Sequence, residues 1–137
     1  MVESETGEME RVEPRSRSGP LEFLYPDKRV RAFFAGEAIA DSRRPLLLLE
    51  RGHRPVYYFP MDDVRLDLLK ATSNHTHCPR KGDASYWTIE VGERRCENAA
   101  WSYLEPFPQA AEIKGYLAFY RNKLDAWFEG DDEVQVT

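Results

Sequence analysis

A mainly β fold, antiparallel and with little helix, is what this sequence predicts. Two observations carry that expectation. Val, Ile, Phe, Tyr and Trp gather in short runs rather than recurring at helical spacing over long windows, and glycine or proline punctuates the gaps between runs.

The elements follow in order. Residues 1–20 alternate Glu, Arg, Ser, Gly and Pro around almost no apolar side chain; such a segment cannot offset the entropy of ordering and reads as a disordered leader. Phe23, Leu24 and Tyr25 approach Pro26, and residues 29–34 then read as a strand ending at Gly36, with residues 38–41 as its return. Leu46-Leu47-Leu48-Leu49 is a continuous apolar run of buried-strand length. Gly52-His53-Arg54-Pro55 turns it into Val56-Tyr57-Tyr58-Phe59, which Pro60 stops. Residues 61–70 change period: Val64, Leu68 and Leu69 suit a short helix or turn, with Asp62 or Asp63 placed to cap it. Residues 74–82 read as a loop braked by Pro79 and Gly82. Residues 85–91 alternate as a strand, Gly92-Glu93 turns, and residues 94–98 return. Residues 99–103 lead to Pro106 and Pro108, and residues 109–113 supply one helical turn. Residues 116–120 and 124–128 read as a last hairpin turning at Arg121-Asn122-Lys123, with a helix over 113–127 as the alternative; the acidic residues 129–133 read as frayed.

Length and charge bound the function. A chain of 137 residues suits one domain with one core. Its net charge of −5 and lack of a basic block argue against a duplex-binding surface, so no nucleic-acid partner is expected. No apolar run is long enough to span a bilayer and no signal segment is visible, which predicts a cytoplasmic protein with no membrane partner and with Cys78 and Cys96 as free thiols.

The chemistry concentrates in Asn74-His75-Thr76-His77-Cys78-Pro79-Arg80-Lys81-Gly82. An imidazole can carry a proton or a metal, a thiolate can attack, and an ammonium can hold an anion. His75 and His77 point to one face of an extended segment, but two histidines alone make a weak metal site, so no metal ligand and no cofactor are assigned. Cys78 is either a nucleophile activated by its neighbours or a small buried hydrophobe. His77 is expected to transfer a proton and Lys81, before Gly82, to contact an anion or oxyanion. Tyr58 and Tyr103 would orient a small-molecule ligand, with Trp101 and Cys78 beside it. Glu50, ending an apolar strand, either caps the sheet in water or pairs with a buried cation and tunes His77 or Lys81. Alternation predicts that only one of Tyr57 and Tyr58 faces the core. Two functions fit these groups: an enzyme acting on an acidic or aromatic metabolite, or a non-catalytic metabolite-binding or protein-interaction module.

Taken in order, Gly36-Glu37 with Ile39-Ala40-Asp41-Ser42, Val56-Tyr57-Tyr58-Phe59-Pro60 with Asp63-Val64, Thr76-His77-Cys78-Pro79 with Lys81-Gly82, Tyr86-Trp87, Ala100-Trp101-Ser102-Tyr103 and Gly115-Tyr116-Leu117-Ala118-Phe119-Tyr120 closely resemble the family known as domain of unknown function 427. The resemblance implies one β-tent-like domain over residues 21–134, two antiparallel sheets meeting at an angle as in type B methionine sulfoxide reductases, with residues 135–137 as a frayed tail. The family also carries a nucleotidyltransferase-like label, which this sequence does not support: it has no glycine-serine phosphate loop followed by paired strand-end aspartates. Zinc-binding β-tent proteins carry two Cys-x-x-Cys pairs, whereas Cys78 and Cys96 stand alone, which implies a metal-free domain. Arg80 stands where family members often have an aromatic residue, implying a position at the rim or in solvent.

Overall fold

A computed structural model describes residues 20–136. The strands are β1 (Leu21–Leu24), β2 (Val30–Phe34), β3 (Glu37–Ser42), β4 (Leu46–Glu50), β5 (Val56–Pro60), β6 (Leu69–Cys78), β7 (Gly82–Val91), β8 (Arg94–Ser102), β9 (Tyr116–Phe119), β10 (Ala126–Glu129) and β11 (Asp132–Val134). They form a seven-stranded sheet in the order β1-β4-β5-β9-β8-β7-β6 and a four-stranded sheet in the order β11-β10-β2-β3. Every pairing is antiparallel. The expected mainly β, antiparallel, two-sheet architecture is the one adopted, and among the described residues the only helix is in 3₁₀ turns. Among the described residues no helix is long and apolar enough to cross a membrane.

The two apolar clusters explain the runs of consecutive hydrophobic residues. One joins Leu47, Tyr57, Phe59, Ile89, Leu117 and Phe119 of the larger sheet to Val30, Ala32, Phe34, Ile39 and Trp127 of the smaller. The other gathers Leu46, Leu48, Tyr58, Tyr86 and Ala118 under Tyr103, Ala110 and Ile113 of the connection before β9. The larger sheet is therefore covered on both faces at its centre. Both Tyr57 and Tyr58 are buried, one in each cluster, which corrects the expectation that only one would be.

Several elements differ from expectation for identifiable reasons. Residues 74–78 are not loop but the end of β6, with Thr76 opposite Ala84 and His77 opposite Asp83; the turn shrinks to Pro79-Arg80-Lys81 because Gly82, at φ +117°, takes the reversal. The 61–70 segment holds two single 3₁₀ turns, Met61–Asp63 and Leu66–Leu68, without side-chain caps. Asp63 instead accepts a 2.7 Å hydrogen bond from Ser42 Oγ. β9 and β10 are not a hairpin: β9 inserts between β5 and β8, β10 joins β2, and the turn Arg121–Lys123 carries the chain from one sheet to the other. The acidic 129–133 segment is not frayed, since β11 pairs with β10 and the Gly130 N–H donates to Arg29 O at 2.8 Å. β1, unexpected as a strand, pairs with β4. The leader lies outside the described residues apart from Pro20, whose carbonyl accepts from the Arg51 N–H at 3.1 Å. At the other end, Gln135 O accepts from Arg121 Nε at 2.8 Å and Val136 packs on the first cluster.

Candidate functional site

The site begins at a break in the larger sheet. β5 and β9 are in register only at Phe59↔Leu117 and Pro60↔Tyr116, and the ladder stops before Tyr57 and Phe119. A cavity of about 730 Å³ occupies the gap. Its walls draw on both clusters: Tyr57, Phe119 and Trp127 from one, Tyr58, Tyr86 and Trp101 from the other. The volume is of the size that small-molecule sites use.

Glu50 anchors one end. It closes the apolar strand β4, so its carboxylate is nearly buried, and it receives Lys81 Nζ on Oε1 at 2.7 Å and Arg80 Nη1 on Oε2 at 3.1 Å. His53 Nε2 lies 3.7 Å from Oε2. Burial pushes the Glu50 carboxyl up, but the hydrogen bonds and charge of Lys81, helped by Arg80 and His53, outweigh it and hold the group below the ordinary carboxylate range. The Lys81 side chain is 12% exposed and its ammonium lies 5.5 Å from the centre of the Tyr103 ring. Two basic side chains thus face one carboxylate.

The aromatic wall is joined by its polar tips. Trp101 Nε1 donates to Tyr58 Oη at 3.2 Å, and the Trp101 and Tyr120 rings lie 4.6 Å apart. Tyr86 Oη is 2.9 Å from Thr76 Oγ1 and 3.5 Å from Tyr120 Oη. At the far end Tyr57 Oη donates to Glu129 Oε2 at 2.8 Å, with Lys28 Nζ 3.7 Å from Oε1. Burial raises the Tyr57, Tyr58 and Tyr103 hydroxyls well above an ordinary phenol, and burial followed by the contact with Tyr86 pushes Tyr120 up to about 12. At neutral pH these four are neutral hydroxyls, able to donate or accept.

Of the residues singled out in the sequence, Glu50, Lys81, Tyr58, Trp101 and Tyr103 line this cavity. His77 does not: its side chain is 60% exposed, its Nδ1 lies 2.7 Å from Asp83 Oδ1, and its ring meets Phe107 edge-on. The structure therefore does not bring His77 and Lys81 to one cavity, because β6 continues as a strand through His77 and aims it at its cross-strand partner. Cys78 is half-buried against the second cluster, outside the cavity lining. Arg80 lies at the rim, its side chain 41% exposed, and His53 is exposed. Among the described residues no three His, Cys, Asp or Glu side chains converge to hold a metal. Sequence reasoning missed Lys28, Phe119, Tyr120, Trp127 and Glu129 as lining residues; the aromatic residues flanking Arg121 were the only local signal for them.

A model of the family described as domain of unknown function (DUF427) matches residues 23–130. No curated protein matches the chain.

Proposed function

We propose that this chain, which belongs to the DUF427 family, is a binding domain for a small aromatic anion, held in the cavity between β5 and β9 without turnover. The observation that carries the reading is the charge balance at Glu50: one nearly buried carboxylate between Lys81 and Arg80 leaves a net positive charge at the end of an aromatic-lined cavity. An acidic group beside Lys81 would meet that excess, and its ring would lie against Tyr58, Trp101 and Tyr120. Binding is favoured over catalysis because the buried tyrosine hydroxyls are held protonated and Lys81 is already hydrogen-bonded, so these groups supply donors, while the imidazole in the lining, His53, is exposed to solvent.

Trp101 and Trp127 line the cavity, so occupancy should alter tryptophan fluorescence. Benzoate is expected to bind and benzylamine, of similar shape and opposite charge, is not. Lys81→Met should weaken benzoate binding about tenfold while far-UV circular dichroism stays unchanged. Equal response to both probes, or an unaffected Lys81→Met variant, would remove the basis of this reading.

A further inference from the structure

We infer that the break between β5 and β9 is itself a recognition element: it takes a flat ring whose edge carries an amide N–H beside a carbonyl, a lactam or imide, which fills the missing rung between Tyr57 and Phe119. The inference rests on the binding reading above and narrows its ligand class.

Three hydrogen bonds fix which way the backbone groups point. In an antiparallel sheet each residue of an inner strand turns both its N–H and its C=O to one neighbour, and the next residue turns both to the other. The Met61 N–H donates to Gly115 O at 3.1 Å, so that pair is a bonded one; alternation makes Phe59 with Leu117 the next and Tyr57 with Phe119 the one after. The bond from the Arg51 N–H to Pro20 O, 3.1 Å, turns Leu49 and Leu47 toward β1, so β4 bonds to β5 through Leu46 and Leu48, opposite Tyr58 and Val56. Tyr57 is thereby turned away from β4. Finally, the Tyr120 N–H donates to Ala99 O at 2.9 Å, which turns Tyr120 and Ala118 toward β8 and Phe119 toward β5. The three registers agree. The N–H and C=O of Tyr57 face those of Phe119 across the gap, and the ladder ends before they meet.

Both residues are buried, at 7% and 2% exposure, and both line the cavity. A pair turned toward one another beyond the end of a ladder presents donors and acceptors that a ligand edge can satisfy. A ring lying in the plane of the sheet would meet donors and acceptors at its edges, with Trp127 on one face of the sheet and Tyr58, Trp101 and Tyr120 on the other to cover its two π faces. An amide edge matches such a strand edge because it presents the same groups as another strand. A carboxylate on the same ring could reach toward Lys81.

Three probes separate the possibilities: 6-carboxyuracil, its 1,3-dimethyl derivative, and benzoate, each titrated by tryptophan fluorescence and by backbone amide NMR. We expect 6-carboxyuracil to bind at least about tenfold more tightly than either of the others. Its binding should shift the amide protons of Tyr57 and Phe119 downfield while those of Tyr58 and Ala118, bonded to β4 and β8, stay in place. If the three bind alike, or if 6-carboxyuracil binds without moving the Tyr57 and Phe119 amides, the missing rung is not read and only the binding of an aromatic anion stands. If none binds, the inference and the binding reading both fall.

Discussion

At the scale of single residues, Glu50 carries the sharpest consequences. Replacing it by Gln keeps the shape but leaves Lys81, 12% exposed, with a neutral partner, which should cost about 2 kcal/mol, less than breaking a fully buried pair costs, since Arg80 is half in solvent. Thermal denaturation at pH 7 would measure it. The pH dependence has a definite sign. Because the folded carboxyl titrates below its ordinary value of 4.5, its contribution is present above that pH and is lost as pH falls through the lower folded value. The stability gap between wild type and Glu50→Gln should therefore close in strongly acidic buffer, and a gap that persists at pH 2 would contradict the ion-pair account. Glu50 was legible in the sequence because a carboxylate ending four leucines has few options besides water or a cation. His77 was misleading for the opposite reason: Asn and His carry little strand signal and the polar run has no apolar alternation, so nothing local showed that β6 runs through it and pairs it with Asp83.

Elements show how local chemistry and distant pairing divide the work. Gly82 sits at φ +117°, where a Cβ would meet only ordinary contacts at 3.5 Å from Glu105 O and Phe107 N. Gly82→Ala should then cost about 1–2 kcal/mol from backbone conformation rather than from a clash, seen as a lower urea midpoint with an unchanged slope. Leu117, fully buried on β9 at the junction with β5, is different in kind. Leu117→Ala removes packing from the first cluster beside the cavity and should cost about 2–5 kcal/mol by the same measurement. The hairpins β2–β3, β4–β5 and β7–β8 were readable because a turn signal lies between two β-rich runs. The partners of β9 and β10 were not, since a hydrophobic run announces that a strand exists but not which sheet will receive it. The cavity inherits that blindness: Trp127 and Glu129 reach it only because the chain changes sheets at Arg121–Lys123.

For the whole molecule, the strand order decides how the fold must come together. β1, β4 and β5 form one part of the larger sheet and β6, β7 and β8 another, and each is built from connections between neighbours in the chain, apart from the return of β1 to β4. They are joined by β9, which comes later in the sequence than all of them. A chain ending at Lys114 should therefore lack cooperative unfolding and be cut rapidly by protease, although it contains eight of the eleven strands among the described residues. Near-native resistance in that fragment would show that the two parts dock without β9. During synthesis the same order has a cost of timing. From the moment Ser102 leaves the ribosome until Phe119 follows it, β5 and β8 both present bare edges flanked by buried aromatic residues, and that interval is when the nascent chain is most open to pairing with another chain or to capture by a chaperone.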